Sequence, residues 1–540
     1  MNIRKWPSVY REYRGFPLVD VTPRRHWSVV VSAVATVLLV LALTGAYTAK
    51  TWSNPVATAQ AGELPTAAPT SAPSGAPTAA STPIPTFKNV VMIIADDMDS
   101  GLFDQIPRLA ALKDQGITFT NHVVTDSLCC PSRTSMMRSQ YVHNHLVVSN
   151  MVESGGGWPT FVKRGEEPNS LGPWLKAGGI TTGLIGKYLN QYPLNKPRYV
   201  PPGWNTWVVP TSTSGKPWEA YTGYNYTLNV NGTIVDHGSN PKDFLNDVLT
   251  ASATDFIKTA TNPFFLELST YNPHDPSPVA RRHQFDHLTT GVPRTPSFNA
   301  LGVNDIPWML RYPVMSAARV AKFDHHWQQR ARSAESVADS VDAILATLRL
   351  TGHIDDTLLV VTSDNGYHAG VHRLLKGKRT AYQEDTVVPM IMIGKGLPTG
   401  YRVNAMTSTV DLAPTFASVL GATTPNWIDG RDLSPFFSGE RPTPWRTGVV
   451  AESMGQSLPT DPDYTPHAPP QFTSLRTEEW VYTEYVDGNV ELFDRVLDPF
   501  ELNNIAAKAN PTLLSQLQAQ LKAMHTCAGA TCRVADSMPS

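Results

Sequence analysis

Apolar residues come along this chain in two textures. Short continuous runs occupy residues 89–95 (Asn-Val-Val-Met-Ile-Ile-Ala), 182–185, 263–268, 357–361 and 387–393. Runs of that length with no polar alternation suit central strands buried on both faces. Between them, residues 241–260 and 317–350 carry helical patterns. Strands alternating with helices predict an α/β domain on a large, mostly parallel central sheet flanked by helices. After about Thr407 the pattern weakens into Pro-rich loops, then gives strands at 480–485 and 490–493 around Asp487-Gly488 and a closing helix over 511–524. This predicts a smaller C-terminal α+β subdomain over 407–540, after a larger α/β domain over 88–406.

Upstream the texture differs. Residues 27–47 are uncharged and mostly apolar, long enough to cross a bilayer at about 1.5 Å per residue. Arg4, Lys5, Arg11, Arg14, Arg24 and Arg25 precede them, and Lys50 is the only basic residue between there and Lys88. That asymmetry predicts a cytoplasmic basic tail over 1–26, a membrane anchor or uncleaved signal over 27–49, and an extracytoplasmic remainder. A cleaved signal peptide is the competing reading, with Ala59-Gln60-Ala61 as a small-residue cleavage site and a secreted product. Residues 50–87 are Ala, Pro, Thr and Ser almost throughout, a semi-extended linker that cannot bury enough apolar surface to fold.

Charge and cysteines narrow the classes. A net charge of −2 and no Lys/Arg stripe give no reason to expect a nucleic-acid partner. Of four cysteines, Cys527 and Cys532 are spaced for a small closed disulfide loop, which fits an oxidising compartment.

The candidate chemistry sits where the apolar runs end. Asp96-Asp97 follow the first run, and Asp364-Asn365-Gly366 follow the run at 357–361. In open α/β sheets ligands bind outside the carboxyl ends of the strands. Three carboxylates and an amide there make a hard, all-oxygen site suited to calcium or magnesium; taken singly, each pair also reads as a turn. Lys187 ends another run, and Lys376 and Lys378 lie just after the Asp364 segment. Fixed cations of this kind can bind an oxyanion ester and stabilise charge on its leaving oxygen. His274, on the Pro-rich loop after 263–268, is a candidate general acid. His143, His145, His368 and His372 are further candidates.

Finally, Cys129, Pro131 and Arg133 spell C-x-P-x-R within Cys-Cys-Pro-Ser-Arg. Tyr-Val-His-Asn-His from Tyr141, Gly-Lys-Tyr-Leu-Asn-Gln-Tyr from Gly186 and Tyr-Val-Pro-Pro-Gly-Trp from Tyr199 follow in order. Then come Ser-Asp-Asn-Gly-Tyr-His-Ala-Gly from Ser363, Lys-Gly-Lys-Arg-Thr-Ala-Tyr from Lys376, Glu-Leu-Phe-Asp from Glu491 and Asp-Pro-Phe-Glu-Leu-Asn-Asn from Asp498. Over roughly residues 88 to 507, these segments resemble the type I, formylglycine-dependent sulfatases of the alkaline-phosphatase-like superfamily. The resemblance is nearest to the N-acetylglucosamine-6-sulfatase and heparan endosulfatase branch. It implies an alkaline-phosphatase-like sandwich that hydrolyses sulfate monoesters, with sulfated sugars such as N-acetylglucosamine 6-sulfate as substrates. It implies that a maturation enzyme converts Cys129 to formylglycine, which together with Asp96, Asp97, Asp364 and Asn365 binds one calcium. Arg133 would hold the aldehyde and the metal site together, Lys187 and Lys378 would grip the sulfate, and His274 would protonate the leaving oxygen. This chain departs from many members in Gly186-Lys187-Tyr188-Leu189-Asn190, where they read Gly-Lys-Trp-His, and at Met98, where glutamine is common. Two other functions stay open: a phosphonate or phosphodiester hydrolase on the same scaffold, and a non-enzymatic, membrane-tethered binder of sulfated glycans.

Overall fold

The computed structural model describes residues 84–539 apart from 194, 213–216, 262, 302–305, 460, 462 and 465–467. The basic tail, the expected anchor and the linker up to residue 83 lie outside them. Among the described residues no helix is long and apolar enough to cross a membrane.

The strands are β1 (Asn89–Ala95), β2 (Ile117–Phe119), β3 (His122–Val123), β4 (Thr181–Gly186), β5 (Thr206–Thr211), β6 (Thr227–Val230), β7 (Thr233–Asp236), β8 (Phe264–Ser269), β9 (Thr357–Ser363), β10 (Met390–Ile393), β11 (Tyr401–Val403), β12 (Thr407–Ser408), β13 (Gly448–Ser453), β14 (Phe472–Thr477), β15 (Trp480–Tyr485) and β16 (Val490–Asp494). Ten of them form one sheet in the order β11-β2-β10-β9-β1-β8-β4-β5-β6-β7. The central strands β9, β1, β8, β4 and β5 run parallel, and only β10 and β6 oppose the rest of that sheet. The expected mostly parallel sheet is therefore present, with its exceptions near the edges.

β1 shows why these residues take this place. All seven of its residues are buried. Val91, Ile93 and Ala95 pack into one apolar cluster with Ala331, Val337 and Ile344 of the long helix Ala317–Leu350. Val90, Met92 and Ile94 pack into a second cluster with Met136, Leu412 and Phe416 on the other face. Period-two alternation of an all-apolar strand thus feeds both layers of a sandwich. Two expected boundaries moved. The run at 387–393 yields a strand only from Met390, because Pro389 has no N–H to give a ladder. The helix expected over 241–260 starts at Leu245, after a separate turn Pro241–Asp243.

After β12 the chain first returns to the large sheet, where the helix Leu412–Val419 packs Phe416 against Phe265 at a ring distance of 5.6 Å. β13 to β16 then form an antiparallel sheet in sequence order. Its core joins Val450, Leu475, Tyr482 and Leu492 to Leu517, Leu521 and Met524 of the helix Pro511–His525. The expected bridge between Cys527 and Cys532 is formed beside that cluster.

Candidate active site

Strand register sets the site. Ala95 pairs with Ser363, and Ser269 pairs with both Ile94 and Gly186, so four neighbouring parallel strands end at one level. The next residues are Asp96-Asp97 after β1, Asp364-Asn365 after β9, Lys187 after β4 and the loop to His274 after β8. Gly186 is needed there: a Cβ on it would stand 1.8 Å from the carbonyl oxygen of Ser269. Asp97 takes the left-handed conformation with φ 64°, which aspartate tolerates better than most residues. Its backbone N–H donates to Asp364 Oδ1 at 3.1 Å.

Cys129 is the first residue of the helix Cys129–Arg138, whose N-cap Leu128 has no capping side chain. Its sulfur lies 2.9 Å from Lys378 Nζ, 3.6 Å from Asp96 Oδ1 and 3.8 Å from Asp97 Oδ1. One turn on, Arg133 Nε donates to Asp364 Oδ2 at 2.8 Å, and its Nη1 donates to the Lys187 carbonyl at 3.1 Å. Lys187 Nζ donates to Asp96 Oδ2 at 2.6 Å, Lys378 Nζ to Asp97 Oδ1 at 2.7 Å, and Asn365 Nδ2 to the same oxygen at 2.7 Å. His274 Nε2 stands 3.5 Å from Asp97 Oδ2, and its Nδ1 donates to the Asp275 carbonyl at 2.7 Å. All nine side chains expected from the sequence are buried and meet in this one cluster.

Burial and charge oppose one another here. Burial pushes the Asp96 carboxyl up even beside Lys187. Burial also works against Asp364, but Arg133, Lys187 and Lys378 hold its carboxyl well below the usual range. His274 is buried, yet Asp97 and Asp96 raise it to about 9. Burial pushes the Cys129 thiol well above its ordinary value, and Lys187 and Lys378 do not bring it back. A thiol held protonated is a poor nucleophile.

The remaining candidates go elsewhere. Lys376 pairs with Asp275 at 2.6 Å near the surface. His143 meets Glu452, His145 meets Ser135, His368 meets Asp385, and His372 stacks on Tyr382. Asn190, in the segment that departs from Gly-Lys-Trp-His, has a buried side-chain oxygen without a hydrogen-bond partner.

Three groups escaped the sequence reading. Asp463, on the connection from β13 to β14, lies 3.4 Å from His274 Nε2 and 3.4 Å from Lys378 Nζ. Tyr221 places its ring 5.5 Å from Lys187 Nζ and 4.6 Å from the His274 ring. Arg330, fully buried on the long helix, donates to the Asp97 carbonyl. Arg330 is one of several charged residues on the long helix, Tyr221 lies in the short 3-10 helix Pro217–Thr222 and Asp463 on a loop, and none carries a local signal of its place in the site.

The oxygen set fits a hard divalent cation. Asp96, Asp97 and Asp364 bring three carboxylates, and Asn365 Oδ1 is a buried acceptor with no hydrogen-bond partner. Asp96, Asp97, Cys129 and His274 bring ligand-type atoms within 4.8 Å of one another.

Aligned parallel strand ends, an oxygen ligand set and buried cations meet over a helix-seated residue on an alkaline-phosphatase-like fold. The chain belongs to the sulfatase family, whose model matches residues 88–422, and the model for the C-terminal part of N-sulphoglucosamine sulphohydrolase matches residues 370–526. The protein is therefore a sulfuric ester hydrolase. It is 32% identical over 481 residues to N-acetylglucosamine-6-sulfatase of Capra hircus, across 82% of this chain and 84% of that one. It is 32% identical over 384 residues to the extracellular sulfatase SULF-1 homolog of Drosophila melanogaster, across 68% of this chain and 33% of that one. A solved protein in complex with its substrate D-glucosamine-2-N,6-O-disulfate matches with a TM-score of 0.67 at 19% identity, over 84% of this chain and 99% of that one.

Proposed function

We propose that this sulfatase hydrolyses sulfate monoesters of sugars such as N-acetylglucosamine 6-sulfate, with residue 129 as formylglycine and one calcium held by Asp96, Asp97, Asp364, Asn365 and residue 129. The observation that carries the reading is the seat of Cys129: a helix-start residue 2.9 Å from Lys378 Nζ, beside the carboxylates at two strand ends. Burial raises the Cys129 thiol, and an unmodified thiol held protonated is a poor nucleophile. Conversion supplies a hydrated aldehyde, with one hydroxyl to attack sulfur and another to expel sulfate. Calcium, when bound, supplies positive charge beside the sulfate oxygens.

The chain's own residues do the rest. Lys187 and Lys378 bind sulfate oxygens and offset charge that grows as the ester bond breaks. Arg133 holds Asp364 in place from one turn along the helix. Protonated His274, with Nδ1 fixed by the Asp275 carbonyl, gives the Nε2 proton to the leaving oxygen. A formylglycine-generating enzyme is the maturation partner. Residues 27–47 anchor the chain with the catalytic domain outside, or direct secretion if cleaved.

The test is mass spectrometry of the peptide containing Cys129, together with turnover of a sulfate and a phosphodiester ester of one phenol. Thiol-to-aldehyde conversion with preference for the sulfate ester is expected. An intact thiol in active protein overturns the formylglycine mechanism. Preference for the phosphodiester moves the function to the other hydrolase class, and conversion without turnover of either ester favours the glycan binder.

A further inference from the structure

Exposure rises across the site in one direction. Cys129 is 0% exposed and the side chains of Lys187 and Lys378 3%, whereas those of His274 and Asp463 are 10% and 13% exposed. A sulfate held by the two lysines against residue 129 must turn its ester oxygen toward the open end, because the alcohol is larger than the sulfate and the floor is closed. The alcohol then leaves past His274 and Asp463.

Asp463 is not an idle surface acid. Asn150 Nδ2 donates to its Oδ2 at 2.6 Å, while Asn150 Oδ1 accepts the N–H of Cys130 at 2.9 Å. The carboxylate is thereby tied to the helix start that carries the reacting residue. Its own backbone N–H donates to Asp461 Oδ1 at 3.0 Å, and Asp461 lies 3.3 Å from Arg379 Nη1. Tyr464, 38% exposed, follows it at the rim. Burial opposes the Asp463 charge, but Lys378 and His274 hold the carboxyl well below the usual range, so it is ionised.

A bound sulfate ester competes with Asp463 for both of its cationic partners, Lys378 and His274. The carboxylate must then find donors on the incoming molecule or stay poorly paired, which is costly in a buried site. An anion brought beside it is repelled through a medium of low dielectric. We propose that Asp463 selects the alcohol by charge, accepting from hydroxyl or ammonium groups of the sugar and disfavouring sugars with a second anionic group on the same ring. The proposal rests on the sulfated-sugar reading above and narrows its substrates to neutral or cationic monosulfated sugars.

The test uses three glucosamine 6-sulfates that differ only at nitrogen: the free amine, the N-acetyl and the N-sulfo compound. Release of the 6-sulfate is followed with the full-length, matured, calcium-loaded enzyme and its Asp463→Asn and Asp463→Glu variants. For the wild type, kcat/KM is expected to be about tenfold or more lower for the N-sulfo compound than for the other two. Asp463→Asn should close most of that gap, and Asp463→Glu should restore it. Equal loss on all three substrates in Asp463→Asn overturns the proposal, because it would show that Asp463 only positions His274. A wild type that turns over none of the three with residue 129 converted sinks the sulfated-sugar reading instead.

Discussion

At the carboxyl edge of the ten-stranded sheet, Asp96, Asp97, Asp364 and Asp463 crowd against Arg133, Lys187 and Lys378, all buried or nearly so. One cluster of the C-terminal subdomain is of the opposite kind: Val450, Leu475, Leu492, Leu517 and Leu521 pack together beside the Cys527–Cys532 bridge. Desolvating charges costs several kcal/mol per ion, and pairing them often does no better than recover it. The site is therefore a feature that the rest of the fold holds in place. The subdomain holds itself and lends the site one loop. Substitutions at the sheet edge should register in chemistry, and those in the subdomain in stability.

The sharpest separation comes from Cys129→Ala. Alanine fills a small buried position at a helix start with little change in the unfolding midpoint, while turnover falls on the order of 10⁴-fold or more, as when other covalent nucleophiles are removed. A large stability loss with residual turnover would break the contrast. Lys187→Ala comes next. It removes the ammonium 2.6 Å from Asp96 Oδ2 and should lower kcat by about 10²–10³-fold, the usual cost of one preorganised charge-stabilising donor. Steady-state kinetics on the best sulfate ester check it: a rise in KM alone would move Lys187 from transition-state stabilisation to simple binding.

The same contrast governs what could be read from the chain. The sheet edge is legible because its parts stand at the ends of unbroken apolar runs, so strand periodicity alone places Asp96, Lys187, His274 and Asp364. Cys129, Arg133 and Lys378 were placed by motif resemblance. The hairpin of β6 and β7 was missed although Asn231-Gly232 marks it, with φ 49° and 87° at the turn. That dipeptide is a strong hairpin signal, but β7 is largely exposed and carries no apolar run. Asp463 was beyond reach for a different reason. It comes to His274 from a loop far along the chain, and no local periodicity encodes such a meeting.

The bridge gives the next smaller effect. Cys527→Ser with Cys532→Ser opens a loop of sequence separation 5 and should cost about 2 kcal/mol by loop-closure entropy. Denaturant unfolding measures that loss, and turnover per folded molecule should be unchanged. Lower turnover at full folding would mean that the subdomain's packing tunes the site directly.

The smallest effect lies where the two regions meet. Glu452 on β13 is fully buried and accepts from His143 Nδ1 at 2.8 Å and from His525 Nδ1 at 2.7 Å. Its backbone N–H also donates to the Thr125 carbonyl, just upstream of the helix that carries Cys129. Burial works against the Glu452 charge, but the two histidines hold it down to about 2. Burial likewise works against charge on His143, and Glu452 outweighs it and raises the ring above 6.5. Stabilisation from the lowered carboxylate is complete above its unfolded value of about 4.3 and is lost as pH falls toward the folded one. Stabilisation from the raised imidazole is complete below about 6.5 and is lost as pH rises through the folded value. The brace is thus strongest from about pH 4.5 to 6.5. Over that window the stability difference between wild type and Glu452→Gln should peak, then shrink by on the order of 1 kcal/mol toward pH 9. Denaturant midpoints of both proteins across pH 4 to 9 test it, and a flat difference would show that Glu452 acts through neutral hydrogen bonds rather than through charge.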